Sequence, residues 1–366
     1  MNAHASGRRP YVAGAVLAAA LVAIFLFFRA RSAAAPNKDG APPPTSLTQA
    51  ESPALKLVVT DLAVDASTST PAPAPNANGA VTLGWGSGDH DVGRSRPEEG
   101  NPEAPMSLAF DAAGNTLVLD QVNGRLLRIG KDGRSTAISL PLQSPQDVAV
   151  AKDGTIAVLD RLTDKGIALI GADGKVMSTL PLEGKGVDET GGLTGVFIDG
   201  KDVYVEREHG TLVRVGDTSG NSDALRPELP GRPSKDGRLL LSAGITESQT
   251  GRLFMSAIDR ATDEHLFTRE LRMGMPVYAI LLLESDAAGT IYLATAAEMP
   301  GSGDPIPAVF LTCLSPNDGQ PIHTVQLPAN TAADETFREM TVAPEGGVVY
   351  AYRTESGMTL GRYDCR

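Results

Sequence analysis

The sequence predicts an all-β chain, a six-bladed β-propeller of four-stranded blades, preceded by one amino-terminal transmembrane helix and a Pro/Ala-rich linker. Three observations carry the propeller. Six units align on a turn glycine, Gly114, Gly154, Gly200, Gly251, Gly289 and Gly346, at spacings of 40, 46, 51, 38 and 57 residues. Each unit has an apolar strand before that turn, another after it and, in most, a third, and repeats of this length are the mark of radially stacked blades that bury both faces against their neighbours. Lastly, AVTLGW at residues 80–85 is a strand with no unit of its own, while the final unit ends one strand short.

Composition agrees with a turn-rich β protein. Gly (39) and Pro (26) are plentiful and aromatics few (5%), while 42% hydrophobic content over 366 residues is enough for a sizeable core. With 32 basic against 44 acidic residues, a formal charge of -12, and no basic stripe interleaved with aromatics, nucleic acid is not a partner the sequence supports.

Taken in order, residues 1–31 hold a short basic tail and the helix. YVAGAVLAAALVAIFLFF, residues 11–28, runs eighteen residues without a charge, about 27 Å as a helix and enough for a hydrocarbon core. It is long for a cleavable signal peptide, and Arg29 and Arg31 stand where a cleavage region is normally uncharged. The reading is an uncleaved signal anchor. Residues 32–79 are rich in Pro, Ala, Ser and Thr, a composition that buries no core and acts as a semi-rigid spacer. The basic residues flanking the helix nearly balance, so the spacer sets the orientation: the propeller, residues 80–366, stands on the periplasmic or extracellular side of a bacterial cytoplasmic membrane. Within the spacer, ALKLVVTDLAVD alternates for a few residues; a docked strand is one reading, a weakly ordered apolar patch the favoured one.

In the propeller, MSLAF, DVAVA, TGVFI, LLLSAGI, YAILLLE and EMTVA precede the turns, and RLLRI, GIALI, TLVRV, HLFTREL, AVFLTCL and TLGRY are the third strands. Unit four lacks a clear outer strand between Leu271 and Val277. The orphan strand at residues 80–85 is expected to complete the last blade and remove an exposed edge.

Unit one, PMSLAFDAAGNTLVLDQVNGRLLRIGKDG, with Pro105, Asp111, Gly114, Asn115, Asp120, Asn123, Arg125 and Leu126, resembles a repeat of the NHL family of six-bladed propellers. The glycine-rich GWGSGDHDVGRSRPEEGNPEAP resembles the lead-in of such proteins. Unit two matches well, unit three in part through Glu206, His209, Gly210 and Leu212, and units four to six by strand spacing alone.

Asp120, Asp160 and Glu206 end the second strands of units one to three. Two chemistries compete for them. As in the propeller lactonases that the fold resembles, they would ring a divalent cation, Ca2+ or Zn2+, giving a metal-dependent hydrolase or lactonase. Alternatively each accepts N–H bonds from its own loop and pairs with a nearby Arg, Arg125 or Arg161. Repetition in register favours the second, because a metal needs different ligands on one point. His90 in DHD and the DTSGNSD run of Asp217, Asn221 and Asp223 read as solvated loops, and the chain has neither a G-x-S-x-G elbow nor a phosphate-binding glycine loop. Cys313 and Cys365 fall on the third strands of neighbouring blades, where a bridge would staple the carboxyl terminus to the ring.

The function expected is therefore binding, as a membrane-anchored module or scaffold for a protein, peptide or glycan. The expected surface is the loops after the second strands, 121–124 and 162–166, with the 299–307 insertion, and its candidate residues are Gln121, Asn123, Arg125, Arg161, Asp164, His209 and Asp304.

Overall fold

A computed structural model describes residues 57–61 and 80–365, except 331 and 333. The helix expected over residues 11–28 and most of the spacer lie outside the described residues.

Six sheets form the ring. From channel to rim, blade 1 has Ser107–Phe110, Thr116–Asp120, Arg125–Ile129 and Ser135–Ser139. Blade 2 has Asp147–Val150, Ile156–Asp160, Gly166–Ile170 and Val176–Pro181, and blade 3 Leu193–Asp199, Asp202–Arg207, Leu212–Asp217 and Glu228–Leu229. Blade 4 runs Arg232–Pro233, Leu239–Glu247, Arg252–Asp259 and His265–Arg272, and blade 5 Val277–Ser285, Ile291–Met299, Ile306–Leu314 and Pro321–Leu327. Blade 6 comprises Met340–Val342, Val348–Thr354 and Gly357–Tyr363, followed by Val81–Trp85 and then Asp91–Val92. Middle strands are covered on both sides by adjacent blades, so Ile156–Asp160 and Gly166–Ile170 are buried at every position. The core accordingly lies between blades, for example Leu253, Met255, Phe267, Leu293 and Phe310 between blades 4 and 5.

The ring closes as the sequence predicts. Val81–Trp85 pairs antiparallel with Gly357–Tyr363, Leu83 opposite Met358, and Leu83 is 1% exposed. Cys313 and Cys365 are bridged with Cα atoms 6.1 Å apart, inside the span a disulfide accepts.

Two expectations are corrected. The turn between the first two strands of blade 4 is at Gly237, not Gly251, which lies between the second and third. Gly237 has φ 76° and donates its N–H to Ser234 O (2.9 Å), as Gly114 does to Asp111 O (2.9 Å) and Gly289 to Asp286 O (3.1 Å). His265–Arg272 is therefore already the fourth strand, and no strand is missing before Val277. The inner strand escaped notice because it is only Arg232–Pro233, set in LPGRP. Pro233 brings no N–H to a ladder, and a Cβ on Gly231 would sit 2.6 Å from Leu241 O. The apolar patch of the spacer is likewise a strand: Leu57–Asp61 pairs in parallel with His265–Arg272, Leu57 opposite Thr268 through Asp61 opposite Arg272, as a fifth strand of blade 4. An outer strand of eight residues offers unpaired main-chain groups that a β-branched segment satisfies.

Candidate functional site

The shortened inner strand of blade 4 opens the channel at the face bearing the loops after the second strands, here called the upper face. Inner strands elsewhere run from three to nine residues, whereas Arg232–Pro233 pairs only with Leu240 and Leu241. Above it remains a cleft of about 330 Å³, within the range of small-ligand pockets. Its floor is Leu241 to Ile245 of the second strand of blade 4. One wall is Tyr278, Ala279, Ile280 and Leu283 of blade 5, and the other is Glu206, His209 and Gly210 of blade 3. The rim is partly apolar: Tyr278 is 55% exposed, and Val122, Leu162 and Ile306 stand exposed on the same face.

At the base lies a buried ion pair. Arg232 donates from Nε to Glu206 Oε1 (2.6 Å) and from Nη2 to Glu206 Oε2 (2.9 Å), a bidentate geometry that only Arg provides. Thr194 Oγ1 also donates to Glu206 Oε2 (2.8 Å), and Arg232 Nη1 reaches Leu283 O (3.2 Å). Burial pushes the Glu206 carboxyl up, but the Arg232 charge and the bonds from Arg232 and Thr194 outweigh it and hold its pKa low. The contribution of Glu206 to stability is thus present above its unfolded pKa and lost as pH falls through its lower folded value. Glu206→Gln is expected to cost about 1–3 kcal/mol at pH 7, with the gap to wild type narrowing in acid; thermal melts at pH 7 and pH 3 that show a constant gap would contradict this.

Below the cleft, charged and aromatic side chains line the channel around a further space of about 160 Å³. The Phe197 ring lies between two guanidinium groups, Arg232 at 5.1 Å and Arg338 at 4.9 Å from its centroid. Gly195 permits this fold-back, since a Cβ there would meet the ring at 2.7 Å. Arg338 donates to Asp147 Oδ2 (2.7 Å) and Val196 O (3.2 Å) and lies 3.5 Å from Glu284. Asp147, fully buried, also accepts from Ser107 Oγ (2.6 Å) and Val196 N (2.8 Å). Lys235 neighbours Glu284 at 3.8 Å. Three cations, Arg232, Lys235 and Arg338, thus face three carboxylates, Asp147, Glu206 and Glu284.

Of the carboxylates that repeat in register, Asp120 and Asp160 accept from their own loops as turn chemistry requires, and Arg125, but not Arg161, pairs with its carboxylate. Asp120 accepts from Gly93 N (2.8 Å), Asn123 Nδ2 (2.8 Å) and Arg125 Nε (2.8 Å). Asp160 accepts from Ser144 N (2.8 Å), Leu162 N (3.1 Å) and Thr163 N (2.9 Å). Glu206 is engaged with Arg232, which comes from the next blade rather than from its own loop. Among the described residues no three His, Cys, Asp or Glu side chains are grouped to hold a metal ion.

Most candidate binding residues hold the fold together. Asn123 donates to Gly86 O (2.9 Å), and Arg125 to Gly88 O and Asp91 O (both 2.9 Å), so both fasten the lead-in segment onto blade 1. Gln121 is partly buried, its Oε1 without a partner among the described residues. Arg161 reaches Leu193 O (2.9 Å) and covers the Phe337 ring (5.1 Å). Asp164 is exposed and accepts from Gln143 N (2.7 Å), and Asp304 is exposed in the blade 5 insertion. His90 Nδ1 lies 3.2 Å from Ser135 Oγ, and Asp217 accepts from Ser219 N (2.9 Å) and Asn221 Nδ2 (3.0 Å) in a local turn.

His209 alone of the seven lines the cleft, its Nδ1 3.8 Å from Glu206 Oε2. It follows Glu208, and both hold positive φ, 51° and 56°, sparsely populated by non-glycine residues and common at functional loops. The loop is held there by Glu208 N donating to Gly192 O (3.1 Å) and His209 N to Thr194 Oγ1 (2.9 Å). Arg232, Tyr278, Phe197 and Arg338 carry no motif; the available signal was SKDGR at residues 234–238, a turn of the same kind as DAAGN and AKDGT.

Fold and site together define a six-bladed β-propeller with an apolar cleft at one face. No protein-family model matches the sequence, and no curated protein matches it. Similar solved structures include hydrazine synthase of Kuenenia stuttgartiensis, 14% identical over 71% of this chain and 76% of that one, TM-score 0.46. A virginiamycin B lyase from Staphylococcus aureus is 13% identical over 77% of this chain and 98% of its own, TM-score 0.41. A gluconolactonase from Xanthomonas campestris is 12% identical over 80% and 99%, TM-score 0.43.

Proposed function

We propose that this chain is a membrane-anchored, extracytoplasmic propeller that binds a protein or peptide partner at its upper face. The cleft above Arg232–Pro233 carries the reading: an inner strand cut to two residues leaves an apolar floor open at the upper mouth of the channel. An apolar floor and a blade 5 wall of Ala279, Ile280 and Leu283 with one exposed aromatic, Tyr278, suit an apolar side chain better than a sugar. The uncharged run at residues 11–28 supports the anchor, and the Cys313–Cys365 bridge supports an oxidising compartment.

Ala243 lies in the floor, so Ala243→Phe fills the cleft from within. Peptides selected by the full chain from a displayed random-heptapeptide library are expected to bind this variant at least tenfold more weakly. A change at the opposite face, Lys152→Ala, is expected to leave them unaffected. Peptides whose affinity Ala243→Phe leaves intact would show that the cleft is not the binding site.

A further inference from the structure

Resting on that reading, we infer that the cleft is a vacant strand position: it takes an extended peptide that hydrogen-bonds to the free inner edge of the second strand of blade 4. Leu239–Glu247 is paired along its length with Arg252–Asp259 on the outer side, but on the inner side, among the described residues, only Leu240 and Leu241 have a strand neighbour. From Ser242 to Ile245 the strand lines the cleft.

Parity identifies the groups that edge presents. Ser234 N donates to Leu239 O and Leu239 N donates to Ser234 Oγ, both at 2.9 Å, so the main-chain groups of Leu239 face inward. In a strand every second residue turns its N–H and C=O to the same side. Ala243 and Ile245 therefore aim theirs into the cleft, while Ser242 and Gly244 serve the outer ladder. An incoming strand over these positions continues the short ladder that Arg232 and Pro233 begin, and an extended span of three residues, about 10 Å, matches the step from Ser242 to Ile245.

The occupant's chemistry follows from the walls. Leu241, Ala243 and Ile245 pack with blade 5, where Ile280 and Leu283 continue the apolar surface. Side chains of the peptide that point to blade 5 are apolar, and the alternate ones face Glu206 and His209 of blade 3 and are polar. At the base of the cleft Arg232 is already paired with Glu206, so that guanidinium does not call for an acidic group on the peptide. The ligand is an extended peptide segment, alternately apolar and polar and without net charge, bound by β-augmentation.

The test uses the peptides selected by the full chain from the heptapeptide library. Each is resynthesised with a single N-methyl group at successive positions. N-methylation is expected to weaken binding at least tenfold at every second residue of a three- to five-residue stretch and to be tolerated between them. Ala243→Pro removes an inward N–H without touching the outer ladder and is expected to lower affinity similarly, with an unchanged melting temperature. The N-methyl series answers the question even if that variant folds poorly. If Ala243→Phe abolishes binding while N-methylation is tolerated throughout, the cleft reading stands and the strand reading falls. If neither matters, or no peptide is enriched, both fall.

Discussion

Deletion of residues 80–86 is expected to leave a chain that does not fold cooperatively, even though the segment lies outside all six repeats. Val81–Trp85 supplies the fourth strand of blade 6, and without it the third strand, Gly357–Tyr363, has an open edge. Leu83 fills the space among Val92, Leu108, Val118, Leu127 and Met358, which belong to blades 1 and 6, so the strand bridges first and last blades. The single change Leu83→Ala is expected to cost about 2–5 kcal/mol, roughly a 3–8 °C fall in melting temperature for a domain of this size. Trp85 adds a hydrogen bond from Nε1 to Thr354 O (3.0 Å) and a contact with Arg94 at 4.8 Å from its ring. A melting temperature unchanged by the deletion would mean that the ring closes otherwise than through this strand.

Arg338→Met is expected to cost about 3–5 kcal/mol, because it strands a buried carboxylate. Burial works against the charge of Arg338, but Asp147, Glu284 and Glu206 more than offset it and raise its pKa. Burial also pushes Asp147 above its ordinary value, in spite of Arg338 and the bonds from Ser107 and Val196. Without Arg338 that rise is larger, and a carboxyl group whose folded pKa lies above its unfolded one loses stability as pH increases between the two. The deficit of Arg338→Met is therefore smallest below pH 4 and grows toward neutrality. Asp147→Asn in the same chain removes the ionisation and is expected to recover most of the loss, a coupling that a double-mutant cycle measures. Equal deficits at acidic and neutral pH, or additive costs, would contradict this account of the channel ion pairs.

These two effects arise at places of unequal legibility. Closure is visible in the sequence because AVTLGW is a strand without a unit and the last unit is a strand short. The charged cluster in the channel is not visible, since Asp147, Phe197, Arg232 and Arg338 come from four blades and meet only at the axis. Asp120 shows the intermediate case. Its partners Asn123 and Arg125 lie within five residues, so the turn reading could be made from the sequence, whereas the bond from Gly93 could not.

Blade 4 shows how one misplaced turn hides a site. Aligned on Gly251, unit four lacks an outer strand; aligned on Gly237, it lacks most of an inner one. Strand periodicity cannot choose between these registers, because Leu239–Glu247 and Arg252–Asp259 both read as strands with an apolar alternate face. Pro230, Gly231 and Pro233 do choose, by breaking the strand on the channel side. The Leu57–Asp61 strand is a related case, for its alternation shows that it can pair but not with which edge.

The sequence by itself determined the period, the number of blades, the turn chemistry and the closing strand, all consequences of interactions between residues near in the chain or of a repeat that can be counted. Tertiary structure decided which main-chain edge stays unpaired, which charges face the axis and which loop residues are consumed by the fold. Those outcomes depend on how blades are placed around a common centre, and no local pattern of residues encodes that distance.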